Sequence, residues 1–282
     1  MSGRFARIGI VGVGLIGGSV ARAARAADPA VSIVGLDVDG VARAALDAGV
    51  IHSVGDLDAI AACDLIVLAA PVSGNLAWMD RLSAAGTSAL VTDVGGTKRQ
   101  MNAKAVALGR RLAFVGGHPM AGSERSGFAA ADPALFAGRR WFVVPSPGSA
   151  EADVARLETW ITGLQAQPSI VDADTHDRVM AAVSALPQVT ASALMAVVGQ
   201  RVGAAGLAMS GPGLIDTTRL AGSAATWMVD GLAHNSREVA EVIDALIGEL
   251  RAIRDQLDTP ELAADLFARA QEWRRALVDR SR

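Results

Sequence analysis

One of the chain's four histidines, His118, is expected in a glycine-rich loop, Gly116-Gly117-His118-Pro119-Met120-Ala121-Gly122-Ser123-Glu124, rather than on an apolar helix face. An imidazole that titrates near neutrality can accept a proton from a hydroxyl while hydride leaves the same carbon. A structural role is the bland alternative, and on chemistry alone the two readings stand level. Hydride needs an acceptor, and the run Gly12-Val13-Gly14-Leu15-Ile16-Gly17 offers a place for one. Glycine at 12 permits a tight turn, Gly14 lets a pyrophosphate approach the backbone, and Gly17 lets a helix pack closely on the preceding strand. Asp37 follows about twenty residues after the last glycine, where a carboxylate is expected to take the ribose hydroxyls of a dinucleotide. Its charge would repel a 2′-phosphate, so NAD is expected over NADP. A glycine turn that serves only the fold, with Asp37 a solvated strand-end acid, is the competing reading.

Two further segments fall at expected strand ends: Ala70-Pro71-Val72 and Thr92-Asp93-Val94-Gly95-Gly96-Thr97-Lys98. Open parallel sheets bind ligands at the carboxyl ends of their strands. Gly12, Gly14, Leu15, Ile16, Gly17, Asp37, Ala70, Pro71, Val72 and Asp93 are accordingly the cofactor-side candidates.

These residues need elements to position them. Short apolar runs at 7–12, 31–36, 64–69, 89–92, 112–116, 140–144 and 169–171 read as buried strands, with alanine-rich helical stretches at 19–27, 40–48 and 98–108 between the earlier ones. That alternation is the pattern of a doubly wound α/β sheet. From about Asp174 helical periods take over. In 237–257, Val239, Val242, Ile243, Leu246, Leu250, Ile253 and Leu257 mark one face, and Thr259-Pro260-Glu261 opens a last helix carrying Leu262, Leu266, Trp273 and Leu277 on one side. The expected architecture is a Rossmann-type dinucleotide-binding domain, residues 1–172, followed by an all-helical domain, residues 173–282. The apolar faces of the last helices exceed what a small domain covers alone, so a homodimer is expected.

Composition narrows the function classes. The 282 residues suit two domains, half are apolar, and a net charge of −3 speaks against a nucleic-acid surface. A single cysteine, Cys63, excludes an internal disulfide, and no Cys/His cluster has metal-ligand spacing. The apolar start is broken by glycines and soon followed by Arg22 and Arg25, unlike a signal peptide or a membrane span. A cytoplasmic protein acting on a small molecule is expected, with no nucleic-acid or membrane partner.

Read together, Gly14-Leu15-Ile16-Gly17-Gly18-Ser19, Ala70-Pro71-Val72, Thr92-Asp93-Val94-Gly95 and Gly117-His118-Pro119-Met120-Ala121-Gly122-Ser123-Glu124 resemble, in order, the prephenate/arogenate dehydrogenases. Thr175-His176-Asp177, Ser184-Ala185-Leu186-Pro187 and Gly213-Leu214-Ile215-Asp216-Thr217-Thr218-Arg219-Leu220-Ala221 extend the resemblance over nearly the whole chain. It implies an NAD-dependent oxidative decarboxylation leading toward tyrosine, a helical domain that forms the dimer, His118 as the group that deprotonates the substrate hydroxyl, and Arg219 as a ligand for a substrate carboxylate. A helix-surface ion pair is the plain alternative for Arg219.

The chain also departs from the family pattern. Gly96 stands where the family often has a serine that hydrogen-bonds near the catalytic histidine, with Thr97 as a substitute hydroxyl on the substrate side. The frequent Ser-His-Leu-Pro-His segment is Ser184-Ala185-Leu186-Pro187-Gln188, which brings Gln188 toward the substrate by motif position. His176 is expected at a helix start, capping or orienting rather than catalysing. Prephenate is the expected substrate, with arogenate or dual cyclohexadienyl activity as the alternative. Two other classes compete: a different dehydrogenase with a catalytic lysine in the helical domain, against which no lysine follows Lys104, and an NAD-binding protein without turnover.

Overall fold

A computed structural model describes residues 4–122, 127–223 and 225–279; Ser123 and Glu124 of the His118 motif lie outside them. The chain divides into two compact units, 1–236 and 237–282. In the first, β1 (Arg7–Val11), α1 (Leu15–Ala27), β2 (Ser32–Leu36), α2 (Asp39–Asp47), β3 (Ser53–Val54), α3 (Leu57–Ala61), β4 (Leu65–Leu68), α4 (Val72–Ala84), β5 (Leu90–Asp93), α5 (Arg99–Leu108) and β6 (Ala113–Pro119) alternate along the chain. β7 (Arg140–Pro145), α6 (Glu151–Gly163) and β8 (Gln167–Ile170) follow. The strands form one sheet in the order β3-β2-β1-β4-β5-β6-β7-β8.

Alternation along each strand builds the layers. Ile8, Ile10, Ile33, Leu65, Val67 and Leu90 go to a core with α1 and α6, while Val11, Val34, Ile66, Leu68 and Val91 go to a second core with α4 and α5. Both faces of the sheet are thereby covered. The order reverses between β1 and β4, which opens a crevice at their carboxyl ends, the usual ligand position of such sheets.

Three features depart from the sequence expectation. β3, two exposed residues, is too short to show an apolar run; beside it Ile33 donates its N–H to His52 Nδ1 at 3.0 Å. β7 runs antiparallel to β6. Pairing of His118 with Phe142 and of Pro119 with Trp141 carries β6 past its glycines, so His118 sits on a strand end rather than in the glycine-rich loop expected for it.

The helical part of this unit begins with α7 (Ala173–Met180), capped by the Asp172 carboxylate on Thr175 N–H at 2.8 Å. A π-turn, Ala181–Ala185, leads into α8 (Leu186–Leu207), which is kinked at Gly203, where φ is +60°. α9 (Pro212–Thr218), a 3-10 turn (Arg219–Gly222) and α10 (Ala225–His234) complete it. The continuous stretch Ala173–Leu207 is long and apolar enough to cross a membrane by length and composition, and only 17% of its most apolar window is buried. The second unit holds most of α11 (Ser236–Asp255) and α12 (Pro260–Asp279), with Leu250, Leu257, Phe267, Trp273 and Leu277 exposed. The helix expected from Thr259-Pro260 thus starts at Pro260; the side chain of Leu262 lies outside the description.

Candidate active site

The glycine loop between β1 and α1 is shaped by what a side chain would hit. Gly12 has φ +94°, and a Cβ there would lie 2.6 Å from the backbone of Ala69 at the end of β4. A Cβ on Gly17 would lie 1.9 Å from the Gly12 carbonyl oxygen, so only glycine lets α1 pack on the loop. At Gly14 a Cβ would meet nothing within 4 Å, which leaves open space against the backbone. Gly14 is also the N-cap of α1, with no side-chain cap and no acid in the first turn. The positive end of this helix, carrying Leu15 and Ile16, is therefore available to an anion. Asp37 accepts the N–H of Val13 at 2.7 Å, fixing the acid to the loop. These residues fit a dinucleotide whose pyrophosphate lies on α1 and whose ribose meets Asp37.

Neighbouring strand ends are tied down by side chains that sequence reading passed over. Buried Asn75 accepts the Ala70 N–H at 3.1 Å and donates to the Leu68 carbonyl at 3.3 Å. The Asp230 carboxylate, from α10, accepts the Val72 N–H at 2.6 Å, at the start of α4 behind Pro71. Asp93, expected on the cofactor side, is fully buried, ion-paired with Lys98, and accepts the N–H groups of Gly95 at 2.8 Å and Gly117 at 3.2 Å. Its carboxylate braces the β5 loop against β6.

His118 closes a chain of hydrogen bonds. Its Nδ1 lies 2.9 Å from Nε2 of His176, whose Nδ1 lies 2.8 Å from Oδ1 of Asp177. Asp177 in turn accepts the backbone N–H groups of Lys98 at 2.7 Å and Arg99 at 2.9 Å, where α5 begins. Burial opposes ionisation of Asp177, but the bonds from His176, Arg99 and Lys98 hold its carboxyl below the usual range. A carboxylate there makes His176 Nδ1 a donor and its Nε2 an acceptor, which makes His118 Nδ1 the donor in the next bond. His118 Nε2 is left as a bare lone pair. Burial, then the neighbouring His176 and Lys98, push the His118 pKa well below that of an ordinary imidazole, so the ring stays neutral at physiological pH. Phe142 lies edge-on to His176 and beside His118, walling the pair. The Asn235 amide holds the Asp177 carbonyl at 2.8 Å.

His176 thus stands where it can orient His118, one of the roles expected of it at a helix start. The signal for Asp177 lay in its adjacency to His176 at a helix start. Lys98, one of only two lysines and wholly buried, carried no local signal at all. A Cβ on Gly96 would stand 3.8 Å from His118 Nε2, so the missing serine leaves open space beside the proton acceptor. Thr97 is buried, and its hydroxyl has no hydrogen-bond partner among the described residues. Arg219 is exposed, at the start of the 3-10 turn after α9. Gln188 is buried, and its amide is bonded to its own chain: Nε2 donates to the Leu220 carbonyl at 2.7 Å, and Oε1 accepts from Ser223 at 3.3 Å.

The family model of the prephenate dehydrogenase nucleotide-binding domain matches residues 20–169, and that of the prephenate dehydrogenase dimerization domain matches residues 172–270. The chain belongs to the prephenate dehydrogenase family. It is 32% identical over 266 residues to the prephenate dehydrogenase of Bacillus subtilis, covering 92% of this chain and 71% of the relative. With the prephenate dehydrogenase of Lactococcus lactis it shares 37% identity over 67% of this chain, but only 53% of that protein's length. In structure it is similar to the prephenate dehydrogenase of Aquifex aeolicus, solved with hydroxyphenyl propionate and NAD+: TM-score 0.87, 25% identity, 98% of each chain covered. The two family models together account for the pairing of a Rossmann-like sheet with a helical part.

Proposed function

We propose that the chain is an NAD-dependent prephenate dehydrogenase of tyrosine biosynthesis, converting prephenate to 4-hydroxyphenylpyruvate. The observation that carries the reading is the Asp177–His176–His118 series, which leaves a neutral, fixed proton acceptor at the carboxyl edge of a dinucleotide-type sheet. NAD, when bound, supplies the hydride acceptor. His118 Nε2 accepts the proton of the ring hydroxyl as hydride leaves the carbon bearing it. The electron pair of the bond to the ring carboxylate then flows into the ring, carbon dioxide departs, the ring becomes aromatic, and the proton held on His118 returns to the phenolate oxygen. His176 and Asp177 keep His118 in the tautomer that can take this proton, and the adjacent imidazole shares the positive charge as it develops. Arg219 holds a substrate carboxylate with its planar fork. Thr97 lies on the substrate side, while Gly12, Gly14, Leu15, Ile16, Gly17 and Asp37 hold the dinucleotide, with Ala70, Pro71 and Val72 lining it.

Arogenate, which carries the same ring with an amino acid side chain, is the alternative substrate. Purified protein given NAD and prephenate should release reduced cofactor and 4-hydroxyphenylpyruvate in equal amounts. No cofactor reduction with prephenate or arogenate overturns the assignment.

For assembly, residues 1–172 are taken as the dinucleotide domain and 173–282 as the substrate and dimerisation domain of a cytoplasmic homodimer, with no nucleic-acid or membrane partner. Support comes from the match to a dimerization domain and from apolar side chains left exposed on α8, α11 and α12, such as Val197, Phe267 and Trp273. Light scattering at micromolar concentration should give twice the chain mass; a monomer contradicts it.

A further inference from the structure

Gln188 is a buried amide, 8% exposed, in the first turns of an otherwise largely exposed helix. The π-turn just before α8 inserts extra backbone into the helix and so resets which side chains face inward. Three bonds then account for the amide: Nε2 to the Leu220 carbonyl at 2.7 Å, the longer Nε2 contact to Ser192 at 3.5 Å, and Oε1 from the Ser223 hydroxyl at 3.3 Å. Leu220 directly follows Arg219 within the four-residue 3-10 turn, and Ser223 is the residue that ends that turn. A single side chain thus grips both sides of the turn that carries the candidate carboxylate ligand. Such a turn has few hydrogen bonds of its own, so its orientation relative to α8 depends on bonds from outside.

We infer that Gln188 is a positioning residue: through Leu220 and Ser223 it fixes the turn bearing Arg219, and it does not itself read the substrate side chain. The inference rests on the dehydrogenase reading above and refines it. Choice between a keto acid and an amino acid is then not made at position 188, because the amide's donors and acceptor face chain atoms. What Gln188 sets is the affinity for the carboxylate that both candidate substrates share, acting through the guanidinium.

Gln188→Met keeps the length and apolar volume of the side chain and removes all three bonds. Losing two well-formed bonds of ordinary strength should raise KM roughly tenfold. The rise should be equal for prephenate and arogenate, with kcat little changed, and the ratio of the two specificity constants should stay at its wild-type value. In Arg219→Ala the same Gln188→Met change should have almost no further effect, since its route is already cut. If Gln188→Met does not fold, Ser223→Ala, which removes one hydroxyl, should give the same pattern at smaller amplitude. A changed substrate ratio, or a full additional loss on top of Arg219→Ala, overturns the inference while leaving the dehydrogenase reading intact. A wild type inert toward both substrates overturns both together.

Discussion

The two ends of the ligand-binding edge of the sheet are built in opposite ways. At the β1–β2 end the site is backbone: glycines without Cβ atoms, a bare helix N-terminus, and one carboxylate bonded to a loop N–H. At the β5–β6 end it is side chain on side chain, with His118, His176, Asp177, Lys98 and Asp93 drawn from β5, its loop, β6 and α7. The first end binds by leaving atoms out, and the second works by holding atoms in place. Added atoms should therefore damage the cofactor end, and removed polar atoms should damage the reaction end.

The largest effect is expected at the reaction end. His118→Asn should lower kcat by about 10² or more, the usual scale for loss of a general base, with NAD affinity unchanged. Rapid-quench or steady-state rates with a parallel NAD titration check it, and near-normal turnover removes His118 from the mechanism.

His176→Phe comes next. It keeps the ring packing against Phe142 but leaves His118 free to take the wrong tautomer, and a loss of roughly 10- to 100-fold in kcat fits one charge-linked hydrogen bond. The pH dependence sharpens this. Because burial, His176 and Lys98 depress the His118 pKa, the acidic limb of kcat/KM in the wild type should lie below the ordinary imidazole value of about 6.5. Activity is then present at neutral pH and is lost only as the pH falls through that lower value. A limb at or above the ordinary value contradicts the buried, neutral imidazole.

At the cofactor end, Gly17→Ala and Gly14→Ala form a pair. The first drives a Cβ into the Gly12 carbonyl and should cost both melting temperature and NAD affinity, by about tenfold or more as the loop shifts. The second meets no chain atom within 4 Å, so the melting temperature should hold while NAD affinity alone falls. Equal loss of stability in both variants would show that the loop serves the fold rather than a ligand. The smallest effect is selectivity: Asp37→Ser removes the charge that opposes a 2′-phosphate, and the NAD-to-NADP preference should narrow by about tenfold. Better turnover of the unaltered protein with NADP breaks that reading.

How much was legible before the structure follows the same divide. The glycine loop, the strand before it and Asp37 fall within about thirty residues, where chemistry and local geometry are written together. His118 was legible as a candidate but was placed in a loop, because the pairing with Phe142 that makes it a strand residue comes from a segment more than twenty residues away. Asp93 read as a cofactor contact from its strand-end position. Its burial against Lys98 depends on how β6 closes over the β5 loop, which no local pattern encodes.

The sequence by itself determined the alternation of strands and helices, the change to a helical part near residue 173, the cofactor loop and the residue types able to move a proton and a hydride. These depend on periodicity, on glycine's missing Cβ and on side-chain chemistry, all properties of near neighbours in the chain. Only the tertiary structure decided which nitrogen of His118 carries its proton, that Asp177 sets it from 59 residues away through His176, and that Gln188 bonds to the Arg219 turn. Those outcomes depend on hydrogen bonds between segments that meet only when the helical part packs on the sheet. A bond across such a separation leaves no periodic trace in the chain, because either partner could have been satisfied elsewhere.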